Sequence, residues 1–114
     1  MNSSATIRHA GDVAVIDVSG RISLSDGLGA MRTAIREAVN AGHKKILLNL
    51  AEVSYIDSAG LGEMASAYIT VTNMGGKMKL VHTQERVSSM LHVTKLYTLL
   101  VTYSDEAVAL ASFA

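Results

Sequence analysis

The stretch K-I-L-L-N-L-A-E-V-S-Y-I-D-S-A-G-L-G, residues 45–62, decides how this chain is read. Lys45 to Leu50 is a short apolar run of the kind that forms a buried strand. Downstream, Leu61, Met64, Ala65, Tyr68, Ile69 and Thr72 recur at helical spacing, with Glu63, Ser66, Thr70 and Asn73 on the opposite side. That pattern predicts an amphipathic helix of about four turns, ended by Gly75-Gly76. Between strand and helix stand Asp57, Ser58, Ala59, Gly60, Leu61 and Gly62, with Asp57 or Ser58 at the N-cap. Such a corner serves a nucleophile, a phosphate site or a helix cap alone.

Working outward, Thr6 to His9 reads as a weak strand, turned at Ala10-Gly11-Asp12. Val13 to Val18 is a strong β-branched strand, so the two form a hairpin that Gly20 closes. Ser25 and Asp26 offer N-cap oxygens to a helix carrying Leu28, Met31, Ile35, Ala38 and Val39, with Gly42 as its C-cap glycine. Arg32, Arg36 and Glu37 take its wet side. Met78 to Val81 is a further strand, Thr83 caps a short helix through Val87, Met90 and Leu91, and Leu99 to Tyr103 is a last strand. Ser104-Asp105-Glu106 opens a final helix through Val108, Leu110 and Phe113. Strands separated by helices pair in parallel through right-handed crossovers, and the opening hairpin adds an antiparallel strand. The expected fold is one α/β domain, a mixed and mostly parallel sheet with about four helices.

Composition narrows the function. The chain has 114 residues, 49% of them hydrophobic and 18% charged, with ten basic and ten acidic side chains and no cysteine. A neutral balance without basic runs argues against nucleic acid as a partner. No apolar run approaches a membrane span, and the N-terminus has no apolar signal region, so the expectation is a cytoplasmic protein with no membrane partner. Asn2-Ser3-Ser4 matches a glycosylation triplet, which in that setting is a chance match. His9, His43, His82 and His92 are scattered over different elements without zinc-site spacing, so no metal is expected. Gly60-Leu61-Gly62 and Gly27-Leu28-Gly29 each lack the third glycine of a dinucleotide fingerprint, and no cofactor is expected.

A nucleophile elbow would need glycine where Ile56 stands. His82 remains available in principle as a base for Ser58, but so short a chain has few loops for a substrate pocket, and the expectation is that the protein is not an enzyme. As a cap alone, Ser58 is worth about 1 kcal/mol. Gly60 and Gly62 cost a helix about 1 kcal/mol each relative to alanine, which points to close approach at the helix mouth. A phosphate on Ser58 would meet free N–H groups and the positive end of the helix dipole.

Y-I-D-S-A-G-L-G, placed between that strand and that helix, resembles the phosphorylation motif of bacterial anti-sigma factor antagonists, which are stand-alone STAS domains. V-I-D-V-S-G-R-I and N-M-G-G-K-M-K-L-V resemble flanking segments of the same family, so the resemblance covers residues 1–114. It implies a binding switch without chemistry of its own. The unphosphorylated antagonist binds an anti-sigma factor, which releases its sigma factor. The anti-sigma factor is itself an ATP-dependent serine kinase that phosphorylates the position matching Ser58, and a metal-dependent serine phosphatase reverses this. Asp57, Ala59, Gly60, Leu61 and Gly62 match positions around that serine and are expected at the contact. Many members carry Asp where Ser23 follows G-R-I here, a departure that bears on partner identity or affinity; Ser23, Ser25 and Asp26 are expected at the same end of the sheet, with Asp26 only a partial substitute for the missing carboxylate. The alternatives are a STAS scaffold or transport-associated subunit outside any sigma pathway, and a small Ser58-dependent hydrolase.

Overall fold

Apolar runs in the two central strands are buried on both sides in their first halves, at residues 13–16 and 46–48, and only at single residues beyond. A computed structural model describes residues 3–26 and 28–114. Asn2 of the glycosylation-like triplet and Gly27 of the first G-x-G lie outside the described residues. Strand β1 (Ser4–Ala10) pairs antiparallel with β2 (Val13–Ile22), and β2, β3 (Lys45–Ile56), β4 (Lys77–Val81) and β5 (Thr102–Tyr103) follow in parallel. The sheet order is the chain order. Helices α1 (Leu28–Asn40), α2 (Ser58–Asn73), α3 (Glu85–Val93) and α4 (Glu106–Ala111) intervene or follow, with a 3-10 turn at Leu96–Thr98 before β5.

Period-two patterning divides the core. Ala14, Ile16 and Val18 of β2 and Ile46, Leu48 and Leu50 of β3 face α1, α2 and α3, where Met31, Ile35, Met64, Val71, Val87 and Leu91 meet them. Val13, Val15 and Leu47 face the other way, against Ala109 and Phe113 at the C-terminal end. Three helices thus cover one face, while α4 covers part of the second.

The fold matches the sequence expectation, but several boundaries move. The second strand does not close at Gly20; it runs on to Ile22, and Gly20 sits at φ +93° between shifts of register against β3. β3 likewise runs six residues past Leu50, because the extended end of β2 supplies partners from Ser19↔Glu52 to Ile22↔Ile56. On α2 the buried stripe is Gly60, Leu61, Met64, Ala67 and Val71, whereas Ile69 and Thr72 face solvent. Thr83 does not cap α3. Gln84 holds that position without a side-chain capping bond, its Nε2 donating instead to the Ala51 carbonyl at 2.7 Å, and the Thr83 hydroxyl pairs with that of Ser88 at 2.6 Å. The last strand keeps only Thr102–Tyr103, and Val108 of α4 is exposed.

Candidate functional site

At the C-terminal end of β3 the chain leaves the sheet through Ile56 and turns into α2. Asp57, not Ser58, is the N-cap: its Oδ1 accepts from the Gly60 N–H at 2.9 Å. Its Oδ2 accepts from the Leu24 N–H at 3.1 Å, and its own N–H donates to the Ile22 carbonyl at 3.3 Å. One side chain therefore joins the helix mouth to the loop leaving β2. These N–H donors, Gly60 first and Leu24 second, hold the Asp57 carboxyl below its ordinary range.

Gly60 has a steric reason. A Cβ built there would lie 2.3 Å from the Ile22 carbonyl oxygen and 2.8 Å from Ile56 Cγ1, so only glycine lets α2 start this close to β2. Gly62 is different, because a Cβ there would meet nothing within 4 Å.

Ser58 is exposed, and the cap role that would have occupied it has gone to Asp57. The loop of Ser23, Leu24, Ser25 and Asp26 lies at the same end, tied there by the Asp57–Leu24 bond. It is closed by Ser23 N–H to Asp26 carbonyl at 2.7 Å and the reciprocal bond at 3.2 Å. Ser23 is buried, with its hydroxyl 3.2 Å from the Asp26 carbonyl oxygen and 3.3 Å from Ser25 Oγ. Gly60 and Leu61 are also buried, so these three shape the surface from beneath. Ser58, Ser25 and Gly62 are exposed; Ala59 and Asp26 are half-buried.

Leu24 was missed by sequence reasoning. It is 78% exposed. An isolated leucine in a polar loop, S-L-S-D, gives no periodic signal, but a lone large apolar residue between turn formers is the sign that was there to find.

Other candidate chemistry is dispersed. Val81 pairs with Asn49, so His82 stands level with the middle of β3, whereas Ser58 lies beyond the end of that strand. His82 lines an open cavity with Ala51, Thr83, Thr102, Tyr103 and Ser104, not with Ser58. His9 stacks on His43 at 4.8 Å and His92 on Tyr97 at 4.9 Å. Among the described residues no helix is long and apolar enough to cross a membrane.

The STAS domain family profile matches residues 4–109 of the chain. A Thermotoga neapolitana protein described as a putative anti-sigma factor antagonist homolog is 30% identical over 99 residues, covering 87% of this chain and 88% of that protein. An anti-sigma F factor antagonist of Paenibacillus polymyxa is 26% identical, covering 96% and 94%. Among solved structures, an anti-sigma factor antagonist from Mycobacterium paratuberculosis superposes with a TM-score of 0.89 at 21% identity, over 98% of this chain and 94% of that one. The phosphorylated form of the Bacillus cell fate determinant SpoIIAA superposes at 0.70 with 17% identity, over 93% and 96%.

Proposed function

The chain belongs to the STAS domain family, and from that premise we propose that it is an anti-sigma factor antagonist switched by phosphorylation of Ser58. The unphosphorylated protein docks the surface around Ser58 and Leu24 onto an anti-sigma factor with serine kinase activity, and the sigma factor is released. The kinase transfers a phosphate to the Ser58 hydroxyl, and a metal-dependent serine phosphatase removes it. Such partners place the protein in the cytoplasm, and it contributes no catalysis of its own.

The observation that carries this reading is the division of labour at the helix mouth. Asp57 takes the capping bond and the loop bond, and Ser58 beside it is left exposed. A hydroxyl needed as a cap could not be modified without cost to the helix; this one is free for that use. Once phosphorylated, it sits where the positive end of the α2 dipole favours negative charge. The Asp57 carboxylate next door repels the added charge, and the N-terminal N–H groups and dipole of α2 oppose that repulsion.

Incubation with each anti-sigma kinase of the host and ATP, followed by mapping of the modified residue, tests the reading. Phosphate on Ser58 is the expected result. Phosphate chiefly on Ser54, Ser66 or Thr70, or on none of them, would overturn the assignment.

A further inference from the structure

A second feature stands at the same end of the sheet. Tyr55, three residues before Ser58, has the Arg21 Cζ 4.4 Å from its ring centroid and the Arg86 Cζ 4.6 Å from it. Arg21 comes from β2, directly opposite Tyr55 in the strand register, and Arg86 comes from the first turn of α3. Both guanidiniums are exposed and the ring is half-buried.

What sets this cluster apart is the shared ring: Arg36, Lys44, Lys77, Lys79 and Lys95 also have no ion-pair partner among the described residues, but only Arg21 and Arg86 share one aromatic ring. Arg8 is paired with Asp17 and Glu106, Arg32 with Glu63, and Lys45 with Asp12. Among the described residues no carboxylate lies within ion-pair distance of Arg21 or Arg86. Two positive charges no more than about 9 Å apart are thus held by one aromatic ring and by nothing negative. A guanidinium stacked by its face keeps its N–H edge free, and that edge is the one that grips a carboxylate with two parallel bonds. Fixing two such forks on a sheet-borne tyrosine reduces the side-chain freedom that binding would otherwise cost. Tyrosine and arginine are also the residues that most often anchor protein interfaces.

Position identifies what this fork meets. At about 3.3 Å per residue, Tyr55 is no more than roughly 10 Å along the chain from Ser58. Arg21 lies just before the Ser23–Asp26 loop that carries Leu24. Any protein that covers Ser58 and Leu24 reaches the edge of the cluster. We propose that Arg21, Tyr55 and Arg86 form a docking fork for an acidic segment of the anti-sigma kinase, flanking the Ser58 contact and setting which partner is accepted. This rests on the switch reading above. It assigns Leu24 the apolar anchor and the fork the electrostatic match, which steers encounter and rejects partners without acidic residues at that place.

The test is calorimetric binding of the anti-sigma kinase at several salt concentrations. It compares the unmodified protein with the double variant Arg21→Gln/Arg86→Gln, and with Tyr55→Phe and Tyr55→Ala. The double variant is expected to bind at least tenfold more weakly and with a flatter dependence on salt. Tyr55→Phe is expected to retain binding, and Tyr55→Ala to lose part of it. Melting curves accompany each variant, and Arg86→Gln alone, on an exposed helix position, serves if the double variant is less stable. Unchanged affinity and salt slope in the double variant, with Ser58→Asp still defective, would overturn the fork and leave the switch standing. No binding of any host anti-sigma kinase by the unmodified protein would instead remove the switch reading and the fork with it. A single-stranded oligonucleotide is the control ligand. If the double variant loses the oligonucleotide while keeping the kinase, the cluster serves nucleic acid and the proposal fails.

Discussion

Asp57 and Leu24 are 33 positions apart in sequence and joined by one bond, the Leu24 N–H donating to Asp57 Oδ2 at 3.1 Å. With its other oxygen on the Gly60 N–H, the carboxylate is shared between α2 and the loop leaving β2. A helix cap is thereby also a latch that places an exposed leucine beside Ser58.

Replacing Asp57 with Ala removes both bonds. The expected result is a folded protein whose melting temperature falls by several degrees, the usual scale for a lost cap in a small domain. The Leu24 loop loosens and partner affinity falls further than stability does. The carboxyl is held below its ordinary range, so its contribution is present above about pH 4 and is lost as pH falls through the lowered folded value. Melting curves of the two proteins are therefore expected to converge in strong acid; a difference that persists there would count against the ionised cap.

The two motif glycines are expected to behave oppositely. Gly60→Ala drives a methyl to within 2.3 Å of the Ile22 carbonyl, and β2 and α2 have to separate. Overpacking of this kind costs about 1–3 kcal/mol, read as a lower denaturant midpoint. Gly62→Ala meets open space and gains helix propensity, so stability rises by about 0.5–1 kcal/mol. Because the new methyl faces the proposed contact, anti-sigma binding weakens although the protein is more stable.

Arg8 bridges Asp17 of β2 and Glu106 at the start of α4. Burial raises the Asp17 pKa, but hydrogen bonds from Arg8 and Asn49 outweigh it, and the Arg8 hydrogen bond lowers that of Glu106. Both carboxylates thus contribute stability above the ordinary carboxylate range, lost as pH drops through their lowered values. These groups are partly exposed, so Arg8→Ala is expected to cost only about 1 kcal/mol at neutral pH, and less once pH falls through the lowered values of the two carboxyls. Hydrogen exchange in α4, which packs Ala109 against the second face, is the local readout.

Much of this architecture was legible because the strong signals are local. Val13–Val18 and Lys45–Leu50 announce strands by β-branching and apolar runs, and D-S-A-G-L-G announces the corner. What was not legible depended on neighbours. A-E-V-S-Y-I reads as a loop until the extended end of β2 pairs with it. On α2 nearly every second residue is apolar, so spacing alone did not choose Ala67 and Val71 over Ile69 and Thr72; the fit against the sheet did. Asp57 and Ser58 were equal candidates for the cap because either side chain carries an oxygen. The backbone at Asp57, extended at φ −109° and ψ −177°, decides for the aspartate.

Phosphorylation of Ser58 is expected to weaken anti-sigma binding without unfolding the antagonist. A phosphoserine carries about −1.5 to −2 charges at neutral pH. A kinase that takes a proton from a serine commonly does so with a carboxylate. At about 6 Å and an effective dielectric of about 20–40, the repulsion is roughly 2–5 kcal/mol. Salt and rearrangement reduce it, which leaves a loss of about ten- to a thousandfold in affinity. Ser58→Asp is expected to reproduce part of that loss, and Ser58→Ala to bind constitutively. The fold tolerates the charge because Asp57 keeps the cap and phosphate at a helix N-terminus is favourable. Two measurements run in parallel: calorimetric binding to the anti-sigma partner, and thermal melting of the free antagonist, each with and without phosphate. Equal affinities would rule out the switch. A large fall in melting temperature on phosphorylation would show that the switch works by unfolding, and the electrostatic account would then be wrong.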